Sequence, residues 1–525
     1  MKLASLRFAA IAAFACALLI PTAATASDTE VNGIYYDFDA SSSTATVTYK
    51  GKCQCSGDAY KGCVTIPSSV TYDAHTYKVT AIGPHAFSSS RDLTSVVIPT
   101  SVEEIGVSAF IGCYNLESVS FSKPSNLRSI GRHAFLACKK LSSIEIPSKV
   151  NYIGNYAFQL CESLHSVTYI EPSSLTTIED YVFCRTGLSN VAIPQSVTTI
   201  SAVAFCQNPN MTEVFLPANV SVISPQNPFA YNTQVTRIVV DPSNKVYDSR
   251  NDCNAIIESA TNTLTSGSKT TTIPASVTSI GRSAFNHVTD LTDAALPATI
   301  RTIGKYAYLG CASLRSFYFP STMISMADSV FQRVTALDSI TTMVQRPFAI
   351  DESDFMPSVY ETATLYVPAG TAPLYRAAPV WSKFRNIVEM DRFVVNGVSY
   401  KVKDDGTAEV TAPQEGVDYE GTIKIPATVT SGTRTYNVSG ATADALTPAA
   451  GKTIRPIWTN TAERNNNVNV YGTRGHIRIE GAEGEAQVYN SVGVVVTTTR
   501  RRSIPIEQGV YIVTVDGTTT KVAVD

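Results

Sequence analysis

From Thr80 to Thr342 the apolar positions obey one rule. Runs of the form L-x-x-V-x-I, such as Leu93-Val96-Ile98, Leu141-Ile144-Ile146, Leu188-Val191-Ile193 and Leu314-Phe317-Phe319, alternate at their ends as a strand with one buried face does. A proline follows (Pro99, Pro147, Pro194, Pro217, Pro274, Pro297, Pro320), where the strand stops and no ladder N–H is needed. Ile-Gly then turns the chain, and an Ala-aromatic pair returns a ring to the core. The rings fall at Phe87, Phe110, Phe135, Phe158, Phe183, Phe205, Phe229, Phe285, Tyr308 and Phe331. Neighbouring rings are 22 to 25 residues apart, except for one gap of 56 between Phe229 and Phe285. One such unit cannot bury its own apolar face, whereas stacked units can. The expectation is a row of parallel strands beside a spine of buried rings.

A period in the low twenties with this strand pattern is that of leucine-rich repeats. Segments such as "IGVSAFIGCYNLESVSF" from Ile105 and "IGKYAYLGCASLRSFYFP" from Ile303 closely resemble the BspA-like leucine-rich repeats of bacterial surface proteins. The resemblance covers roughly residues 80–346, and "TLYVPAGTAPLYRAAPVWSKFRNIVEM" (Thr364 to Met390) resembles the segment that closes such arrays. The fold expected is mainly β: a leucine-rich repeat solenoid with a parallel sheet and short helical or irregular turns, flanked by small β modules and a C-terminal β-sandwich. The resemblance implies adhesion, with host matrix proteins, host cells or other bacteria as partners.

Around the array, residues 27–79 form an N-terminal β module, and residues 391–441 resemble it ("VNGIYYDF" against "VNGVSYKV"). A hairpin insertion near 241–270 fills the long gap, residues 347–390 cap the array, and 442–467 read as a linker. Residues 468–525 alternate in short strands. Their "YNSVG" and "QGVYIV" stretches resemble the C-terminal sorting domain of the type IX secretion pathway, which implies the secretion machinery as a partner. Whether that domain is removed or anchors the chain stays open.

Composition changes the picture little. Charged residues are 16% of the 525 and the net charge is -3, which points away from nucleic acid. Residues 1–26 read as a signal peptide: Lys2 and Arg7, an apolar Phe8 to Ile20, then Ala24-Thr25-Ala26. No later run is long enough to span a bilayer, so the expected location is extracellular or on the outer cell surface, with no integral span after signal removal.

Candidate chemistry is thin. "IGRHAFLACKKLSSIEIP" (Ile130 to Pro147) sets His133 near Cys138, but Cys113, Cys161 and Cys311 hold the same repeat position as Cys138 while His133 has no repeated counterpart. Recurring thiols fit packing better than reactivity. Thiols on adjacent rungs have parallel Cβ vectors, which fits the disulfide torsion poorly, although export allows one pair to close. Cys53, Cys55 and Cys63 in the leader suggest a local disulfide, with zinc as the alternative. Asp351-Glu352-Ser353-Asp354 reads as either a Ca²⁺ loop or a solvated acidic turn. No catalytic set is present, so no enzyme, cofactor or metal site is expected.

What remains is surface. The outward strand positions are Ser95, Val97, Ser118, Ser120, Ser143, Glu145, Ser166, Thr168, Ala192, Glu213, Phe215, Arg237, Ser316 and Tyr318. A rigid sheet loses little entropy on binding, so this stripe is the candidate binding face. The alternative is an envelope scaffold with no specific ligand.

Overall fold

Apolar alternation of period two gives way to tight turns in each repeat, and the backbone follows it. A computed structural model describes residues 29–50, 60–191, 193–413, 418–442, 445–446, 452–459, 469–480, 485–490, 495–515 and 518–524. They fall into two units, divided after Ser249. The signal segment, Cys53, Cys55 and Ala192 lie outside the described residues.

In the first unit a repeat typically makes a rung of two strands, not one. The rung at Ser143–Ile146 places Ile144 and Ile146 inward and pairs in parallel with Ser166–Tyr169. After Pro147, the Val150 N–H donates to the Pro147 carbonyl (3.0 Å), and the chain re-extends as the two-residue strand Tyr152–Ile153. These short strands build their own parallel ladder, His75–Ile82 to Glu104–Ile105 to Ser129–Ile130 to Tyr152–Ile153. Ile-Gly is therefore more than the turn its sequence suggests. The glycine is demanded by this second ladder: a Cβ on Gly131 would stand 2.7 Å from the Gly106 carbonyl carbon, and one on Gly154 2.6 Å from the Arg132 nitrogen.

The ring side is hydrogen-bonded between rungs as well. His133, Phe135 and Ala137 donate their N–H groups to the carbonyls of Asn155, Ala157 and Gln159 (3.1, 2.8 and 2.8 Å). His133 (φ 58°) and Ala137 (φ 62°) sit in the left-handed region, an uncommon conformation for residues other than glycine that this ladder holds in place. Inside, Phe87, Phe110, Phe135, Phe158, Phe183, Phe205 and Phe229 stack ring on ring, with centroids 4.8 to 5.7 Å apart. The leader's Tyr60 tilts onto Phe87 at 4.3 Å and begins the column.

The second unit repeats the design. An antiparallel hairpin, Ala255–Glu258 with Thr263–Gly267, passes its second strand in parallel to Ser279–Ile280, Thr302–Ile303 and Ser325–Met326. Phe285, Tyr308 and Phe331 stack, and Phe355 joins them at 5.0 Å from Phe331. Phe355 escaped the sequence pattern because Asp354 precedes it, where the other rings follow Ala, Val or Pro. The cap adds the helices Pro357–Thr362 and Ala372–Ala377, with Trp381 buried and its indole N–H donating to the Phe348 carbonyl (2.7 Å).

The two β modules share one topology, each within its own unit. Thr44–Thr48 pairs antiparallel with Ile34–Asp39 and parallel with His75–Ile82; Ala408–Val410 does the same with Val398–Val402 and Arg434–Ala441. Each carries a buried tyrosine clamp. Tyr60 Oη accepts from Tyr35 N–H (3.0 Å) and donates to the Thr48 carbonyl (2.8 Å). Tyr419 Oη does so with Ser399 N–H (2.8 Å) and the Thr411 carbonyl (3.0 Å).

Residues 442–467, read as a linker, contain the strand Ile454–Thr459, which pairs in parallel with Gly421–Pro426. Ala445 and Leu446 pack into the same core, as an Ala-aromatic pair does in a rung. The described part of the C-terminal segment forms two sheets around Ile477, Ile479, Val488, Val513 and Val522.

Candidate functional site

The outward strand positions come together as parallel ladders. Ser95 faces Ser118 and Val97 faces Ser120; Ser143 faces Ser166 and Glu145 faces Thr168; Glu213 faces Arg237. Ser118, Ser120, Ser143, Glu145, Thr168 and Arg237 are exposed, as are Val97 and Phe215, while Ser95, Ser166 and Glu213 are half-buried. Alternation forces this, because a strand whose even positions fill the core must turn its odd positions to water. The face charges are matched across rungs, Lys123 to Glu145 (2.8 Å) and Arg237 to Glu213. Such exposed pairs contribute at most about 1 kcal/mol.

The outward strands of the first unit do not form one continuous sheet: Ser143–Ile146 with Ser166–Tyr169, and Glu213–Leu216 with Arg237–Val240, are separate pairs. Leu188 to Ile193, which fits the strand pattern, forms no strand among its described residues. In its place lies a recess of about 190 Å³ lined by His165, Ser166, Val167, Leu188, Ser189 and Asn190, with Phe183 and Phe205 at its base. Here the face opens to the aromatic spine.

In the second unit the face is wider than the sequence predicted. Ser316–Phe319, Ser339–Thr342, Thr364–Val367 and Asn386–Glu389 form one four-stranded parallel sheet. Its outward row runs Tyr318, Thr341, Tyr366, Val388. Burial pushes the Tyr318 hydroxyl up to about 12, so it stays a neutral donor and acceptor. The signal for the added strand was present in "TLYVP", which fits the strand-then-proline rule.

The remaining candidates resolve as structure. Cys113, Cys138, Cys161 and Cys311 are buried, and each Sγ donates to the carbonyl of the ring one rung earlier (2.9 to 3.2 Å). Burial pushes Cys113 and Cys311 up to about 12 and Cys138 and Cys161 higher, which keeps them protonated. His133 instead packs on Tyr156 (5.1 Å), and burial with the neighbouring Arg132 lowers it to about 4.

One adjacent-rung pair does close: Cys184 is bonded to Cys206. The objection from parallel Cβ vectors, drawn for thiols on adjacent rungs in general, does not hold for this pair. These two stand one residue after the ring, where the rungs bring their Cα atoms to 4.6 Å, within disulfide range. Cys63 is exposed and free on the strand Gly62–Thr65, with hydrogen bonds from Ser95 and Thr94 lowering its pKa.

Asp354, in the acidic loop, is buried rather than solvated. It accepts the N–H groups of Val330 (3.1 Å) and Asp351 (2.8 Å), and burial raises it to about 6. Among the described residues no group of three or more His, Cys, Asp or Glu could hold a metal ion, and no helix is long and apolar enough to cross a membrane.

The model of the BspA-type leucine-rich repeat region matches six copies, over residues 56–172, 80–210, 169–265 and 255–358, together more than half of the chain. The chain belongs to the BspA-type leucine-rich repeat family. Solved structures similar to this BspA-type chain include a leucine-rich cell-surface protein of Faecalibacterium prausnitzii, at 24% identity over 70% of this chain and 95% of that one, TM-score 0.48. The pneumococcal vaccine antigen PcpA is similar at 18% identity, over 70% of this chain and 100% of that one, TM-score 0.47. A leucine-rich repeat protein of Bacteroides ovatus is similar at 20% identity, over 69% and 100%, TM-score 0.35. No curated protein matches.

Proposed function

We propose that this BspA-type chain is an exported bacterial surface protein that adheres to macromolecules of a host or of other bacteria through its strand face. The observation that carries the reading is the ladder of outward positions, held rigid from behind by the stacked rings and bonded rungs. Binding to such a face costs little ordering entropy, because the backbone is already fixed. The recess at His165 and Asn190 gives one protruding side chain of a partner a place to enter.

Export rests on residues 1–26 and delivery on the resemblance of residues 468–525 to a type IX sorting domain. No catalytic role is assigned to any residue. The experiment is retention of host cells, matrix proteins and partner bacteria on immobilised chain (residues 27–525), compared with a Ser120→Arg, Glu145→Arg, Phe215→Arg variant. Adhesion predicts capture by the parent and loss in the variant. An envelope scaffold predicts equal behaviour of both, and that outcome would sink the proposal.

A further inference from the structure

We propose that the rungs between Phe183 and Thr233 carry a second site, for a sugar bearing a carboxylate, on the ring side of the array and away from the strand face. The starting observation is one repeat position, the second residue after the ring. It is left-handed in seven successive rungs: Ser89, Gly112, Ala137, Leu160, Arg185, Gln207 and Tyr231 (φ 55 to 71°). The first four are small or aliphatic. The last three are long, and two are polar while the third is aromatic. Above them lies a recess of about 410 Å³, which also takes in Pro209 and Thr233. That is within the roughly 300–1,000 Å³ of small-ligand sites.

The floor of this recess is built differently from the rest of the array. In the three preceding rungs a thiol (Cys113, Cys138, Cys161) stands three residues after the ring; here the position holds Thr186, Asn208 and Asn232. Asn208 Oδ1 accepts the Thr186 N–H (2.7 Å) and hydroxyl (2.8 Å), and Asn232 Oδ1 accepts the Asn208 N–H (2.7 Å). Their amide groups donate back to the carbonyls of Phe183, Phe205 and Phe229 (2.9 to 3.0 Å). The Cys184–Cys206 bond crosslinks two of the same rungs, and Tyr231 packs against the buried cluster formed by those cysteines, Val203 and Ala230. A disulfide, an amide ladder and a recess thus coincide on the same rungs. A preorganised site needs such a floor.

The charges select the ligand. Glu162 on the rim is tied to Lys139 (3.5 Å), whereas Arg185 is exposed and makes no ion pair among the described residues. The three groups together leave one positive charge, on a planar fork suited to a carboxylate. The Tyr231 and Pro209 rings supply flat apolar surface, and Gln207 and Thr233 supply polar groups for hydroxyls. The floor's N–H groups are already given to the next rung, Arg185 to Cys206 (2.9 Å) and Gln207 to Ala230 (3.3 Å). Recognition therefore falls to side chains. That suits a hydroxylated ring with one carboxylate better than an acidic peptide, which would seek backbone partners.

The test is saturation-transfer NMR and calorimetry on the purified chain (residues 27–525). The probes are sialyllactose, a glucuronic-acid-ended disaccharide, lactose and a glutamate-rich peptide. The expectation is binding of one or both acidic sugars, with the two separating sialic from uronic recognition, and none of lactose. Arg185→Gln should weaken it at least about tenfold, the loss of one charged hydrogen-bond partner. Arg185→Lys should recover part of the binding, and unchanged circular dichroism should show both variants folded. Lactose binding equal to the acidic sugars, binding by the peptide alone, binding by none of the probes, or indifference to Arg185→Gln overturns the proposal. The strand-face variant should bind the sugars normally, so the outcome stands apart from that of the adhesion reading.

Discussion

Removing one ring from the middle of the spine tests the architecture most directly, and Phe158→Ala is the cleanest choice. Its side chain is fully buried and lies between Phe135 (5.2 Å, 3° between planes) and Phe183 (5.5 Å, 7°). A buried Phe→Ala change costs about 3–5 kcal/mol in transfer and cavity terms. The upper half of that range is expected here. Two ring contacts disappear together, each worth about 0.5–1.5 kcal/mol. The rungs on either side also cannot collapse into the gap, because their backbones are tied by Phe135 N–H to the Ala157 carbonyl (2.8 Å) and Phe158 N–H to the Val182 carbonyl (3.0 Å). In a stacked array the loss falls on nearest neighbours. Hydrogen exchange followed by mass spectrometry should therefore show amides of residues 135–183 exchanging faster by about three to three and a half orders of magnitude, at 1.4 kcal/mol per tenfold. The exposed Val97→Ala should change stability by less than about 0.5 kcal/mol. A Phe158→Ala effect below about 1 kcal/mol would falsify the ring spine as the source of stability.

Two further outcomes follow from buried polar groups in the second unit. The Tyr308 hydroxyl is buried in the ring stack with no hydrogen-bond partner among the described residues. Tyr308→Phe should raise stability by about 1 kcal/mol, the cost of an unsatisfied hydroxyl, read from Trp381 fluorescence in denaturant; an unchanged or lower midpoint refutes it. Asp354 is raised from near 3.8 to about 6 by burial, so the folded state holds its proton more tightly than the unfolded one. Its contribution to stability therefore rises as pH falls from about 7 towards 4, and Asp354→Asn should flatten that part of the pH profile. Parallel profiles for the two proteins would show that another group sets the slope.

The spine and the strand face were legible because repetition amplifies weak signals. Ten rings at one spacing outweigh any single misfit, and alternation then assigns the outward residues without further evidence. Features used once or twice were not legible. The second ladder hides in two residues per rung, too short for a periodic signal. Phe355 follows Asp354 where the other rings follow an apolar residue, and the strand Ile454–Thr459 is disguised by Pro456 and by a leucine where a ring should stand. The amide ladder of Asn208 and Asn232 reads in sequence as a failure of the cysteine rule, and only its hydrogen bonds reveal a replacement. Asp354 looked solvated because its loop is acidic, yet two backbone N–H groups draw it inward.

The end of a ring column raises a physical problem that its interior does not, and each unit contains one such end. A stack of parallel rings exposes a flat apolar face at each terminus, and every open rung presents unpaired strand edges, both invitations to further copies of the chain. At the start, Tyr60 meets Phe87 tilted by 43° rather than parallel, and its hydroxyl is fixed by Tyr35 and Thr48. Its ring closes the stack while its polar end binds the leader's strands. The last ring of the second unit ends differently. Phe355 stacks on Phe331, but its other contacts are edge-on, to Tyr360 (78°) and Phe384 (74°). Edge-on rings offer no parallel face for another rung, so the cap segment ends the column by changing ring geometry. Two unrelated segments thus solve the same problem by turning an aromatic ring, and the Tyr419 clamp shows the first solution reused in the second module, where the aromatic position of the following rung is held by Leu446.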